Sequence, residues 1–586
     1  MPFEYVTSQV VLTDEVIPEL AKLDKIGLDI ETRGFNPRHS DILTAQFGNS
    51  DVQWVVDARR VNLQPLLDML TTARPLLIGH NLKYDLEFLA NAYGFSPKRL
   101  FDTMLAYGII YNGIESPYVS LKFLVEHYCG TTLDKDVRES FVSTYGDLTE
   151  DQVRYAARDV EYLIPIAEAQ SDELHRDRLL ATAQLEFRVI PVVVQLENSG
   201  IKLNQDKWLD VAEKVAKRAV EVEGDIARII GATKLQESFF GDVLYDMNPR
   251  SNPQMLNAFH MLGVNVPDTK ESTLSKIEHP LARTLLSYRK LRKMSGTYGK
   301  NFFKFIEDSG RLHAEFNQLG ARSGRFTSGK PNMQNIPGDT DHRSCFICEP
   351  GNILVTADFS QIELKLAAIL SNEPEMLAEY EKADADLHAL TGCKIFGVTL
   401  DNLLPWQRQI GKHCNFGILY KISKYGMYKK WGIPLTAGER YIAEFKRAYP
   451  VLTRFMDGQS DIAVSQGYNV TGLGRRRYYS IPPLTSELYF KLISSVRRES
   501  SNFPIQGGAA DIMKLSLVNI CERIPEVGGL MVNTIHDEVV VEVPKQNVSE
   551  AVAIIYNSMS DAGEELAGDR LEWKVSVATG NCWKKT

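Results

Sequence analysis

Arg408-Gln-Ile-Gly-Lys412-His-Cys-Asn-Phe416-Gly-Ile-Leu-Tyr420 is the stretch on which the reading of this chain turns. Arg408, Lys412, Phe416 and Tyr420 recur every four residues, and on an α-helix that spacing makes a slowly drifting stripe. The first half of the stripe is cationic and the second half aromatic. Such a surface suits a triphosphate at one end, through charge-assisted hydrogen bonds, and a base at the other, through stacking. A solvated basic turn leading into a core helix would carry the same letters. Taken alone, the stripe divides evenly between the two readings.

Two acidic segments flank it. Ile353-Leu-Val-Thr-Ala-Asp358 reads as an apolar strand ending in an acid, followed by Phe359-Ser-Gln361-Ile-Glu363 and the amphipathic run Leu364 to Leu370. Downstream, Leu530-Met-Val-Asn-Thr-Ile535 runs into His536-Asp537-Glu538 and then Val539-Val-Val-Glu-Val543, which reads as strand, acidic turn, strand. Neither segment is decisive alone, because an acid at a strand end is commonplace and an acidic hairpin tip is ordinarily a solvated turn.

Taken together, the three segments resemble motifs A, B and C of the family A DNA polymerases. Asp358-Phe-Ser-Gln-Ile-Glu-Leu is similar to that family's Asp-Tyr-Ser-Gln-Ile-Glu-Leu. Further matching stretches are Ser323-Gly-Arg325-Phe-Thr-Ser, Pro331-Asn332-Met-Gln334-Asn335-Ile-Pro337 and Asp386-Leu-His388. Gly474-Arg-Arg-Arg-Tyr478 and the run from Arg498 through Asn502 to Gln506-Gly-Gly-Ala-Ala-Asp511 complete the set. The resemblance implies roles for these residues. Asp358 and Asp537, with the carbonyl of Phe359, would hold two Mg²⁺ ions (Mn²⁺ being a substitute), and Glu538 would support them. Arg408, Lys412 and His388 would contact phosphates, with Lys412 a proton donor to pyrophosphate. Gln361, Phe416 and Tyr420 would surround the incoming dNTP, and Glu363 would close the space a ribose 2′-OH needs. Arg325, Asn332, Gln334, Asn335, Arg498, Asn502, Gln506 and His536 would contact primer-template DNA. Three departures from the family pattern stand out: Lys421 where Gly is usual, Phe359 beside the catalytic Asp, and Gly320-Ala-Arg-Ser before Gly324-Arg325. Lys421 is expected to alter the end of its helix or to add a phosphate contact.

The N-terminal part carries a second acidic constellation. Ile26-Gly-Leu-Asp29-Ile30 and Asp51-Val-Gln-Trp-Val-Val-Asp57 read as strands, as does Pro75-Leu-Leu-Ile-Gly79. They alternate with helical stretches at Leu63 to Leu70 and Tyr84 to Ala92, an α/β pattern. Asp29 and Glu31, two apart on a strand, aim two carboxylates the same way. Asp85 opens a helix, and Tyr155 and Asp159 share a helical face at i and i+4. Four carboxylates at one point need cations, and a pair of divalent metals can clamp a phosphodiester for attack by water. In order and context these residues resemble the DEDDy 3′–5′ exonucleases. That likeness implies that Asp29, Glu31, Asp85 and Asp159 hold metals and that Tyr155 orients water.

The fold expected is a multidomain α/β protein: an RNase H-like exonuclease domain at 1–175, then a right-hand polymerase at 176–586. Within the second part a thumb falls at about 186–310, a palm at about 311–375 and 485–586, and fingers at about 376–484. The function expected is template-directed DNA synthesis in replication with 3′–5′ proofreading, by a cytoplasmic monomer that can work with a helicase or other replisome proteins. No 5′ nuclease region is expected before Asp29. The competing reading is a 3′–5′ exonuclease whose polymerase-like half only grips DNA; a non-catalytic scaffold is a third. Both tolerate loss of Asp358, Asp537 or the Arg408/Lys412 stripe, and all four residues are present.

Composition sets the outer bounds. The chain has 586 residues, 44% of them hydrophobic, so it can bury a large core. With 66 Lys and Arg against 75 Asp and Glu, the net charge is −9, which excludes a uniformly basic coat for nucleic acid. Positive charge is instead gathered at Arg408/Lys412, Arg475 to Arg477 and Arg497/Arg498, where affinity for DNA depends on the phosphates locally neutralised. The apolar run Ile190 to Leu196 is far shorter than the ~18 residues of a membrane span. Seven cysteines, with a single Cys345-Phe-Ile-Cys348 pair, point to packing rather than to a disulfide framework or a zinc site.

Overall fold

The computed structural model describes residues 3–133, 137–237 and 243–584. The first part is built on six strands: β1 (Phe3–Val6), β2 (Lys25–Thr32), β3 (Ile42–Gly48), β4 (Gln53–Asp57), β5 (Leu76–Gly79) and β6 (Leu100–Asp102). They form one mixed sheet in the order β1-β4-β3-β2-β5-β6. β2 lies inside it, antiparallel to β3 and parallel to β5. Three of these strands were expected from their apolar runs. β3 was not among them, although Leu43, Ala45 and Phe47 alternate with Thr44 and Gln46, and β1 and β6 are only three or four residues long.

Two helices complete the surroundings of β2. α1 (Leu82–Tyr93) follows β5, and α2 (Glu150–Glu161) lies against β2, β3 and β4. A capping box starts α2: the Thr149 hydroxyl accepts the Gln152 N–H at 3.2 Å, and the Gln152 side chain accepts the Thr149 N–H at 3.0 Å. Gly27 lets α2 come close, since a Cβ there would fall 2.6 Å from Val160 Cγ1. The missing side chain on β2 is therefore what brings Asp159, next to Val160, down onto the strand that carries Asp29.

α3 (Leu180–Ser199) joins the two halves. Its Phe187, Ile190 and Val194 enter the core beneath the first sheet, while Val189, Val192, Val193 and Leu196 enter the large core of the second half. A helix wedged between two cores must be apolar all round, which explains the Ile190–Leu196 run. No described helix is long and apolar enough to cross a membrane. α4 (Gln205–Ile230) and α5 (Pro280–Thr297) then pack together, with a small core of their own around Phe259, Leu281 and Tyr288.

The second half is centred on a four-stranded antiparallel sheet. Its strands are β7 (Asn352–Phe359), β8 (Leu530–Ile535), β9 (Glu538–Pro544) and β10 (Val575–Gly580), in the order β8-β9-β7-β10. Six helices matter to the site: α6 (Ile362–Ser371), α7 (Leu387–Phe396), α8 (Pro405–Leu419), α9 (Pro450–Gln466), α10 (Tyr489–Ser501) and α11 (Phe503–Arg523). α7 and α8 touch backbone to backbone, because a Cβ on Gly411 would fall 2.2 Å from the His388 carbonyl oxygen. All seven cysteines are free thiols, and Cys345 sits fully buried in the large core, where burial pushes its thiol up to about 11.

Candidate active sites

In the first half, ligand oxygens of Asp29, Glu31 and Asp159 all lie within 4.8 Å of one another. β2 supplies the first two and α2 the third. Asp85, in the first turn of α1, is fixed separately: its Oδ1 accepts the Ile30 N–H at 3.0 Å, between the two acids of β2. Burial, and then the charge of Asp29, holds the Asp85 carboxyl well above the usual carboxylate range. Tyr155 sits one turn before Asp159, buried, with its ring 6.0 Å from that of Phe141. The four acids and Tyr155 line one cleft of about 830 Å³, whose mouth includes the highly exposed Phe35. Anionic, oxygen-only donors this close together fit hard divalent cations.

One residue behind this cleft was not anticipated. Asp102 is buried at the end of β6 and accepts four backbone N–H groups, those of Asn81, Leu82, Met104 and Leu105. It caps its own helix and pins the left-handed Asn81 turn (φ 60°) that launches α1 and Asp85. Burial still pushes its carboxyl up to about 6. The signal was the Asp102-Thr103 pair, an N-cap residue immediately before a helix.

In the second half, Asp358 pairs with Glu538 across β7 and β9. The Phe359 N–H donates to the Asp537 carbonyl at 3.2 Å, which draws the hairpin tip onto the end of β7 that carries Asp358. Burial raises the Asp537 carboxyl. Glu538 is engaged differently: Arg343 donates to it at 2.8 Å and the Trp583 indole at 2.6 Å, with the Arg343 guanidinium over the Trp583 ring. Arg343 and Trp583 had no motif to announce them. The tip residue His536 is left-handed (φ 56°), and Gln334 clamps the hairpin. Its Oε1 accepts the His536 N–H at 3.3 Å and its amide donates to the Thr534 carbonyl at 2.7 Å.

The stripe on α8 resolves the ambiguity of its sequence. Arg408, Lys412, Phe416 and Tyr420 are all exposed, whereas Gly411, Cys414, Asn415, Ile418 and Leu419 are buried. Phe416 and Tyr420 keep 36% and 41% of their surface in solvent, so the aromatic half is not core. Arg408 donates to Asp386 at 2.7 Å. His388 is buried beside Phe416, and its Nδ1 accepts from the Asn415 amide at 2.9 Å. Burial, then Lys412 and Arg408 against the opposing Asp386, pushes its imidazole down to about 4, so it is neutral at pH 7. Across from the stripe, Glu363 accepts the Tyr420 hydroxyl at 2.8 Å and Arg325 at 2.5 Å. Burial raises the Glu363 carboxyl, and both partners oppose that shift.

The remaining predicted residues fall around this centre. Gln361 begins α6 in a left-handed conformation (φ 62°) and accepts the Tyr380 hydroxyl at 2.9 Å. Asn332 lies 3.4 Å from the Ser328 hydroxyl, and the Asn335 carbonyl accepts from Tyr298. Arg498 is exposed and, with Phe416, Tyr420 and Lys421, lines a pocket of about 590 Å³. Asn502 is buried and Gln506 half-buried at the start of α11.

Two expectations are corrected. Arg475 to Arg477 do not form a surface patch for DNA. Arg475 is 2% exposed and bonds Glu186 at 2.5 Å and Asp511 at 2.7 Å; Lys514 joins the same Glu186 at 2.5 Å. Arg476 reaches Asp177 and Arg477 reaches Glu499. The triplet's charge is consumed inside the protein, since a buried cation must be paired. Lys421 likewise has its charge engaged within the protein: its ammonium bonds Asp457 at 3.0 Å and Ser460 at 2.9 Å.

The first half matches the family model for 3′-5′ exonuclease over residues 3–175, and the second matches the model for DNA polymerase family A over residues 205–585. The chain is 30% identical to the DNA polymerase I of Aquifex aeolicus over 607 residues, covering 96% of each protein. It is 28% identical to the DNA polymerase I of Chloroflexus aurantiacus, covering 99% of this chain but only 63% of that one. It thus spans just under two thirds of the Chloroflexus relative's length. Among solved structures, the fold resembles the POL domain of Pol1 from M. smegmatis in complex with DNA primer-template and dNTP, with a TM-score of 0.79, 22% identity and 99% of each chain covered. With both acid sites and the α8 stripe in the places described, the chain belongs to DNA polymerase family A and carries a 3′-5′ exonuclease domain ahead of its polymerase domain.

Proposed function

We propose that the protein is a template-directed DNA polymerase that adds dNTPs to a primer 3′-OH and removes mispaired 3′ ends in its exonuclease domain. The observation that carries this reading is the docking of the Asp537 hairpin tip on the end of β7 that carries Asp358, with the Tyr420–Glu363–Arg325 chain tying the end of the α8 stripe to α6. The domain division that goes with it is exonuclease at 1–175, thumb at about 186–310, palm at about 311–375 and 485–586, and fingers at about 376–484.

Asp358, Asp537 and the Phe359 carbonyl would hold Mg²⁺ in the polymerase site, and Asp29, Glu31, Asp85 and Asp159 would hold it in the exonuclease site. Bound there, the metal supplies Lewis-acid activation of the attacking oxygen and neutralises charge on the phosphate and leaving group. The protein's own groups do the rest. Arg408 and Lys412 grip the triphosphate, and Lys412, a cation on an exposed helix face, is placed to give a proton to pyrophosphate. Phe416 offers a stacking surface. Glu363, buried and fixed from two sides, fills the space beside the sugar. Arg325, Asn332, Gln334, Asn335, Arg498, Asn502, Gln506 and His536 hold the primer-template. In the exonuclease cleft, Tyr155 orients the water and Phe35 receives an unstacked base. Glu538 acts indirectly, keeping the hairpin seated through Arg343 and Trp583.

One primer-extension assay tests the reading against its rivals. With dNTPs the primer lengthens, and without them it shortens. Shortening alone under both conditions would leave an exonuclease with a DNA-gripping second half, and no change would leave a scaffold.

A further inference from the structure

α8 ends in an unusual way for its residue types. The Ile422 N–H returns to the Gly417 carbonyl at 2.9 Å and the Lys421 N–H to the Ile418 carbonyl at 2.8 Å, the paired bonds of a Schellman motif. That motif requires a left-handed residue after the helix, a position that favours glycine. Lys421 occupies it with φ 48°. A non-glycine residue in this region persists only where its surroundings over-determine it. Here they do. The Lys421 ammonium bonds Asp457 and the fully buried Ser460 on α9, and the Ser460 hydroxyl reaches the Arg497 carbonyl on α10 at 2.7 Å. Arg497 in turn donates to Asp461 on α9 at 2.8 Å. One side chain therefore ties the end of α8 to the two helices behind it, and the residue immediately before it is Tyr420, bonded to Glu363.

We propose that Lys421 is a positioning residue for Tyr420. Its anchored ammonium holds the left-handed turn that closes α8 and so keeps the Tyr420 hydroxyl on Glu363, fixing the sugar side of the nucleotide site. This rests on the reading of Glu363 as the group that faces the sugar. Half-exposed ion pairs add little to global stability, so the role is one of geometry: loss of the anchor lets the α8 end swing and loosens Glu363 while the fold stays intact.

Lys421→Met keeps the stem without the charge, Asp457→Ala removes the partner, and Lys421→Arg preserves a cation. On primer-template with Mg²⁺, Lys421→Met and Asp457→Ala are each expected to raise KM for dNTPs by about fivefold, more than they lower kcat. The use of ribonucleotides relative to deoxyribonucleotides should rise by a similar factor. The double variant should be no worse than either single one, and Lys421→Arg should recover most of the loss. Digestion of single-stranded 3′ ends should not change, nor should the melting temperature. Unchanged KM and sugar selection in both single variants would overturn the proposal, as would failure of Lys421→Arg to rescue. Weaker DNA binding with a flatter salt dependence in Lys421→Met would also overturn it, by making Lys421 a phosphate contact. Failure of the wild-type protein to extend a primer is a different result, since it removes the functional reading. In that event equilibrium binding of radiolabelled dNTP decides the matter: about fivefold weaker binding in both variants supports the anchor, and equal binding overturns it.

Discussion

The two acid sites of this chain use the same material and arrange it in opposite ways. In the exonuclease cleft three carboxylates from β2 and α2 crowd within 4.8 Å, with Asp85 beside them and burial working against its charge. In the polymerase site four acids also gather, but two are committed to protein partners: Glu538 to Arg343 and Trp583, Glu363 to Arg325 and Tyr420. Asp358 and Asp537 are the acids proposed above to hold the metal. The first site is built by concentrating charge at one point. The second is built by assigning half of its acids to fixed partners, which turns those acids into positioning devices. The first should therefore depend chiefly on its acids and on Asp102, which launches the helix of Asp85, whereas the second should respond more widely to residues that never approach a metal.

The largest effects test the division of labour. Asp537→Ala should lower primer extension roughly a thousand-fold or more, the several kcal/mol a metal site supplies at about 1.4 kcal/mol per tenfold, while 3′ digestion persists. Extension at near wild-type rate would break the assignment. Asp29→Ala with Glu31→Ala should produce the mirror image, with digestion of single-stranded 3′ ends lost to a similar degree and synthesis continuing.

The next effect falls between the two sites. Arg475→Met leaves Glu186 and Asp511 buried without their guanidinium, and breaking a buried pair of this kind costs about 3–5 kcal/mol. A fall of that size in the free energy of urea unfolding is expected. Because Gly324 packs against the Arg475 guanidinium (a Cβ would fall 2.7 Å from its Cζ), the neighbouring Arg325 should lose its position and extension should suffer with stability. A variant as stable as wild type would show that the cluster is dispensable.

How much of this was legible in the sequence follows the same contrast. Spacing alone placed Asp29 with Glu31, Tyr155 with Asp159, and the α8 stripe, because strand and helix periods convert directly into shared faces. The motif order then supplied the pairing of Asp358 with Asp537. What stayed hidden was everything set by long-range partners. Arg475 to Arg477 read as surface charge until Glu186, almost 290 positions away, was found beneath them. Arg343 and Trp583 carry no pattern at all, since their role lies in contacts to other elements, and the N-cap signal of Asp102 says nothing of its bonds to Asn81 and Leu82.

Smaller effects probe the positioning residues. Glu363→Ala should raise the ratio of ribonucleotide to deoxyribonucleotide incorporation by about tenfold or more, the size of discrimination a single steric contact provides. An unchanged ratio would move the sugar-facing role elsewhere. Extension itself should fall less than in Asp537→Ala, because no metal ligand is lost.

The last effect is a matter of pH. His388 was expected at a phosphate, and a charged imidazole there would add to Arg408 and Lys412. Its surroundings argue for a neutral ring: burial comes first, and Lys412 and Arg408 reinforce it against Asp386. With the folded value pushed down from 6.5 to about 4, the unfolded chain takes up the proton first as pH falls. The contribution of His388 to stability is therefore complete above pH 6.5 and is lost as pH drops toward 4. His388→Gln should remove that part of the pH slope, measured as urea midpoints at pH 7.5, 6 and 4.5 (round values on the order of the unfolded and folded titration range). A histidine that titrated near its ordinary value, read from its ring-proton shift, would contribute no such slope; a phosphate contact is compatible with either result, because a neutral imidazole still carries one N–H donor.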